Sequence, residues 1–133
     1  MKKIKQLSLF LDNKPGVMAR ICAVLQKKKV NILGISVNDG HDHAIVRMVV
    51  DDPRTALHCL GSAGLLIVEN DVLMLEVPHR AGALGAISRK LASAGVNIEY
   101  SYCTAGPKQR EAALILSVNN LNGAMKALKS LAE

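Results

Sequence analysis

Two stretches of this chain bring together residue types that can hold a small anion. At Asp12-Asn13-Lys14-Pro15-Gly16 an alternating apolar segment gives way to a helical pattern, and Val30-Asn31-Ile32 closes that pattern. The amides at the start of a helix have no partner within it, and with the helix dipole they attract carboxylate or phosphate. Asn13, or the pair Asn31 and Asn97, adds a neutral amide that both donates and accepts, which suits the carboxylate and ammonium of an amino acid. The same residues have a purely structural reading, in which Pro15-Gly16 makes the turn and each asparagine caps or closes one. Both readings stand open on these residues alone.

The second stretch echoes the first. Pro78-His79-Arg80-Ala81-Gly82 with Val96-Asn97-Ile98 lies 82 − 16 = 66 residues further on, and the same offset relates Asn31 to Asn97. The chain is therefore internally duplicated, with repeats over residues 1–70 and 71–133. A domain of ~60 residues buries only about 60% of its chain surface, so the halves are expected to pack together or to dimerise.

Other chemistry finds little support. His41 and His43 flank a hairpin tip, no cysteine pair has zinc spacing, and nothing places a base beside Cys22, Cys59 or Cys103. No metal and no cofactor is expected. The odd number and wide spacing of the cysteines, within apolar patterns, read as reduced thiols of a cytoplasmic protein. Seventeen basic residues against eleven acidic ones give a charge of +6, with part of the excess in Met1-Lys2-Lys3 and Lys27-Lys28-Lys29; the latter suits a helix C-terminus. Half of the residues are apolar but only 2% are aromatic, so the core must be built from Leu, Val, Ile, Ala and Met. No run reaches the ~18 apolar residues of a membrane span, and Ser8, Asp12 and Lys14 interrupt the segment where a signal peptide would lie.

The positioning elements follow from periodicity. Leu7, Leu9 and Leu11 alternate through a first strand; Met18, Ile21, Cys22 and Leu25 form the stripe of a helix ending near Lys29. Leu33, Ile35 and Val37 mark a second strand, Asn38-Asp39-Gly40 a hairpin turn, and Ala44, Val46, Met48 and Val50 a third strand. Asp52 caps a second helix with Pro53 at its first position, Ala56, Leu57 and Leu60 facing inward and Gly64 ending it, before a short fourth strand over Leu65 to Val68. This is the split βαβ order of a ferredoxin-like α+β fold: with right-handed crossovers, an antiparallel four-stranded sheet with both helices on one face.

The second half repeats it from Val72, with Leu73, Leu75 and Val77, then Leu84, Ile87 and Leu91. Beyond the hairpin the offset becomes 68, because the loop 105–110 is two residues longer; Ala112, Leu114, Leu116 and Val118 then match Ala44 to Val50, and Ala124 and Leu128 match Ala56 and Leu60. Two departures stand out. The apolar parity of the second strand shifts to Ile98, Tyr100 and Tyr102, which a bulge explains or which places the tyrosines at an interface or ligand. The chain also stops at Leu131-Ala132-Glu133, so the second repeat lacks its own last strand; Leu65 to Asn70, or a strand of another chain, is expected to cover the bare edge.

Strand, Asp12-Asn13-Lys14-Pro15-Gly16-Val17, helix, Val30-Asn31-Ile32 and hairpin together resemble the ACT domain, a small ligand-binding regulatory module of amino-acid metabolism, in two tandem copies covering nearly the whole chain. The resemblance implies the βαββαβ fold and effectors, commonly amino acids, bound where two ACT units meet. By that resemblance Asn13, Gly16 and Asn31 fall on ligand-contacting positions, with Gly82 and Asn97 as counterparts. Their neighbours Lys14, Pro15, Val17 and Ile32, and His79, Arg80, Ala83 and Ile98 in the second copy, complete the candidate set. The second copy has Pro78-His79 for Asp12-Asn13 and Ala81 for Pro15, so its site has either an altered specificity or has lapsed.

Two rivals use the same fold. Acylphosphatases place an arginine in this loop and an asparagine further on, roughly as Arg80 and Asn97, but the surrounding loop lacks their pattern. Ferredoxin-like RNA-binding modules stack bases on aromatics, of which this chain has one Phe and two Tyr. The reading preferred over a hydrolase or an RNA binder is a non-catalytic cytoplasmic regulator, a homodimer, that senses an amino acid or related carboxylate at ACT–ACT interfaces and modulates a partner enzyme in trans, with no nucleic acid or membrane involved.

Overall fold

The computed structural model describes residues 1–40, 42–104 and 110–130; His41, the loop residues 105–109 and the end of the chain, 131–133, lie outside the described residues. The order of elements is β1 (Lys2–Asp12), α1 (Val17–Lys27), β2 (Ile32–Asp39), β3 (His43–Val50), α2 (Pro53–Ser62), β4 (Leu66–Pro78), α3 (Ala83–Ser93), β5 (Ile98–Thr104), β6 (Glu111–Val118) and α4 (Leu121–Leu128). They form two compact units, Lys5–Asn70 and Asp71–Glu133 with Met1–Ile4. The fold is α+β and ferredoxin-like in each unit. The first unit has the strand order β2-β3-β1-β4 and the second β5-β6-β4-β1. The pairs β1–β3, β2–β3, β4–β6 and β5–β6 are antiparallel. No helix among the described residues is long and apolar enough to cross a membrane.

The cores match residue for residue. In the first unit Leu7, Leu9, Ile21, Leu25, Val46, Met48, Ala56 and Leu60 are buried together. In the second, Leu73, Leu75, Ile87, Leu91, Leu114, Leu116, Ala124 and Leu128 occupy the corresponding places. Each large side chain so buried contributes roughly 1.5–3 kcal/mol relative to exposure. The α2 cap forms as its sequence requires: the Thr55 amide donates to Asp52 Oδ1 at 3.2 Å and Pro53 opens the helix. Asn120 does the same for α4 by accepting from the Gly123 amide.

The structure departs from the periodicity at the sheet edges. The expected short fourth strand and the first strand of the second repeat are one continuous strand, β4, because the polar run Glu69-Asn70-Asp71 continues the sheet instead of turning. Gln6, fully buried, donates to Asn70 Oδ1 at 3.2 Å, and Lys5 pairs with Glu69 at 3.8 Å. Leu66–Asn70 thus serves the first unit, and the second unit gains Met1–Ile4 beside β4, in place of the expected Leu65 to Asn70 or a foreign strand.

In β2 the apolar alternation does not mark burial. Leu33 is 41% exposed and Val37 53%, since β2 is an edge strand and a bulge lies between Ile32 and Gly34. An equivalent bulge lies between Ile98 and Tyr100 in β5, so the bulge is common to both units and is not what moves the tyrosines. Tyr100 and Tyr102 pair with Ser117 and Ile115, on the sheet face away from the core residues Leu114 and Leu116. Leu57 and Cys22 also turn outward, and Cys59 takes the inward place on α2.

Candidate functional site

The two strand-to-helix turns share one backbone conformation. Gly16 and Gly82 are the N-caps of α1 and α3, both with φ 89°, a left-handed conformation that costs other residues roughly 1–2 kcal/mol. A Cβ at either position would meet nothing within 4 Å. Conformation, not room beside the backbone, is therefore why glycine stands there. Neither helix has a side-chain cap or an acidic residue in its first turn, which leaves the dipole uncompensated.

Each turn is tied to its neighbouring hairpin in the same way. The Asn13 amide donates to the Asp42 carbonyl at 3.2 Å and the His79 amide to the Arg110 carbonyl at 2.7 Å. Around the first turn, Asp12 lies 3.8 Å from Lys14 Nζ and 3.9 Å from His43 Nδ1. The Asn13 side chain reaches the Gly40 carbonyl at 3.5 Å, so its amide contributes to closing the hairpin. Pro15 lies in the turn before α1 rather than inside it.

Asn31 and Asn97 anchor the other ends of these helices through their backbones. The Asn31 amide donates to Asp51 Oδ1 at 2.9 Å and its carbonyl accepts from the Asp51 amide at 3.0 Å. Asn97 repeats this with Asn119, at 2.9 and 3.2 Å. Both asparagine side chains are exposed and, among the described residues, have no hydrogen-bond partner. Asn31 and Ile32 border a depression of about 350 Å³ with Cys22, Gln26 and Lys29.

The candidate residues therefore form two groups per unit. Asn13, Lys14, Pro15, Gly16 and Val17 gather at the start of α1, and Asn31 and Ile32 lie beyond its end; eleven helical residues separate them by about 16 Å. His79, Arg80, Gly82 and Ala83 stand in the same relation to Asn97 and Ile98 across α3. No single amino acid touches both groups of one unit. A larger cavity, of about 470 Å³, lies within the second unit and includes Arg80 and Ala83 from the candidate set, together with Lys2, Glu76, Ala86 and Ile87, which sequence reasoning passed over. Its sequence signal was the pairing at the 66-residue offset of Val17 with Ala83 and Arg20 with Ala86, large residues against small ones.

Comparison with known proteins agrees with this architecture. A protein of Bacteroides thetaiotaomicron whose crystal structure is known superposes with a TM-score of 0.91 at 30% identity, covering 97% of this chain and 88% of that one. The regulatory subunit of aspartate kinase from Thermus thermophilus, in a ligand-free form, shares the fold at a TM-score of 0.71 and 15% identity, covering 100% of this chain and 99% of that one. The corresponding subunit from Thermus flavus gives 0.66 at 18% identity, with 97% and 92% covered. A search of curated proteins finds no match. The ACT domain pair family matches residues 2–128, and the chain thus belongs to that family, as a tandem pair of ACT domains.

Proposed function

We propose that this protein is a non-catalytic regulator that binds an amino acid or related carboxylate and, by binding it, modulates an enzyme of amino-acid metabolism in trans. The observation that carries the reading is the match of nearly the whole chain, residues 2–128, to an ACT domain pair. It is supported by the likeness in fold to regulatory subunits of aspartate kinase. A regulator of this kind acts through differential affinity for ligand and partner between two states.

The ligand sits, in this reading, between two copies of the chain. The separation of about 16 Å across α1 means that a ligand using both the turn at Asn13 to Val17 and the amide of Asn31 takes them from different ACT units. The outer strand β2 supports a homodimer: it is an eight-residue edge with Leu33, Ile35 and Val37 exposed, and apolar edges of this kind are usually paired. Of the two turns, the first is the better site, because it keeps Asn13, Lys14 and Pro15. A cytoplasmic location goes with this role.

A thermal-shift screen of the full chain against the common amino acids tests the proposal. One or a few should raise the melting temperature saturably, since ligand at ~100 times its dissociation constant adds about 2.7 kcal/mol. Gly16→Val, which disturbs the first turn, should remove that response with the protein still folded. A flat response to every amino acid would reject the reading.

A further inference from the structure

We propose that residues 66–70 of β4 form a self-association edge, which pairs antiparallel with the same stretch of a second copy of this chain about a two-fold axis at Ile67. Within the first unit this stretch lies beside β1. On its other side β6 is in register with β4 only from Leu73 to Pro78, so among the described residues no strand accompanies residues 66–70 there. The backbone donors and acceptors of such an edge are a template for another strand.

The side chains add an apolar surface to that template. Ile67 packs against the core of the first unit, so Leu66 and Val68 lie on the opposite face of the sheet. Phe10 shares that face: its neighbours Leu9 and Leu11 are core residues, and Gln6, of the same parity as Phe10, reaches Asn70, of the same parity as Leu66 and Val68. Leu66 is 65% exposed, Val68 49% and Phe10 41%, and Ile45, in register with Phe10, is half-buried. Single exposed apolar residues are ordinary, but a group of them on one face at a bare edge marks an interaction surface.

This edge also lacks the residues that keep strands apart. Edge strands are commonly guarded by lysine or proline, and Leu65-Leu66-Ile67-Val68 has neither. The strand in the corresponding place of the second unit, Met1–Ile4, carries Lys2 and Lys3. A copy of itself fits the first edge. Antiparallel pairing about Ile67 sets Leu66 of each copy opposite Val68 of the other, at the ~4.5–5.5 Å Cβ separation of cross-strand pairs. An axis perpendicular to the sheet keeps the two apolar faces on one side, so both Phe10 side chains join one surface. Glu69 and Asn70 lie beyond these pairs. The pairing needs neither an amino acid nor the β2 edge.

Sedimentation velocity of the full chain at micromolar concentration and low ionic strength tests this. Leu66→Glu and Val68→Lys should each halve the wild-type mass, weakening association at least about tenfold, with an unchanged far-ultraviolet circular dichroism spectrum. The combined variant sets a carboxylate opposite an ammonium in both pairs and should associate more tightly than either single variant, which a folding defect cannot imitate. Val37→Lys, on β2, should leave this association in place. A monomeric wild type, or wild-type mass in both single variants, overturns the edge. No gain in the combined variant overturns the pairing about Ile67. Loss of association in Val37→Lys alone overturns this edge and leaves the proposed function intact, whereas a flat thermal-shift response to every amino acid rejects that function without bearing on the edge.

Discussion

At the start of α1 the chain places Asn13, Lys14, Val17 and Arg20; at the start of α3 it places His79, Arg80, Ala83 and Ala86 on the same backbone. The turn glycine, its φ of 89°, and the hydrogen bond from a turn amide to the hairpin are common to both units. So is the clasp at the far end of the helix, Asn31 with Asp51 and Asn97 with Asn119. What differs is the side chains at the turn and those along the first turns of the helix. Duplication has kept the geometry that holds a turn in place and has let the chemistry at the turn diverge. The edges diverge too: β2 exposes Leu33, Ile35 and Val37, whereas β5 carries Glu99, Ser101 and Cys103 at those positions.

The equivalence of the two cores is open to the largest test. Leu60 and Leu128 are both fully buried at matching positions, and Leu60→Ala and Leu128→Ala should each cost about 2–5 kcal/mol in urea unfolding. Losses differing by more than that range would break the residue-for-residue match. The turns come next. Gly16→Val and Gly82→Val should each lose about 1–2 kcal/mol because only the left-handed backbone is at stake, and Gly16→Asn should lose less. A loss-free valine at either position would mean that the turn is not held as described.

A smaller effect separates the helix ends. Lys29 has φ 58° where the second unit uses Gly95 at 70°. Replacing Lys29 with glycine should raise the melting temperature of the first unit, by a free energy on the order of 1 kcal/mol; an unchanged or lower value would show that the lysine side chain offsets its backbone strain.

The smallest effect concerns the α2 and α4 caps. The Thr55 hydroxyl and then its amide, donating to Asp52, hold the Asp52 carboxyl below its ordinary value. A lowered carboxylate pKa contributes stability that is complete above the unfolded-state value and is lost as pH falls through the folded-state value. Acid titration of stability should therefore show a loss below the usual carboxylate range that Asp52→Asn removes, while the α4 cap, Asn120, carries no such dependence. An identical acid profile for wild type and Asp52→Asn would contradict this.

Much of the fold was legible because duplication states each pattern twice. The heptad-like stripe of Ile21 and Leu25 recurs as Ile87 and Leu91, and Asp52-Pro53 announces α2 by its capping chemistry alone. Glu69-Asn70-Asp71 was not legible as strand, since three polar residues signal a break unless partners such as Lys5 and Gln6 supply contacts from far along the chain. Met1-Lys2-Lys3 showed only a share of the positive charge, and that β1 begins there, beside β4, depends on partners far along the chain. Leu33, Ile35 and Val37 misled because period two reports a face and not whether anything covers it. Among the candidate site residues, the types of Asn13, Gly16 and Asn31 were readable, but their division between the ends of α1 depends on a helix length that the structure fixes. The cavity beside Ala83 and Ala86 was hidden because small residues mark what is missing.

The most direct test of amino-acid sensing is hydrogen exchange of the full chain with and without each amino acid that shifts its melting temperature. Slowed exchange is expected in peptides covering Asp12 to Val17 and Lys29 to Ile32 together, although they lie at opposite ends of α1. An amino acid that binds and leaves both segments unchanged would contradict it.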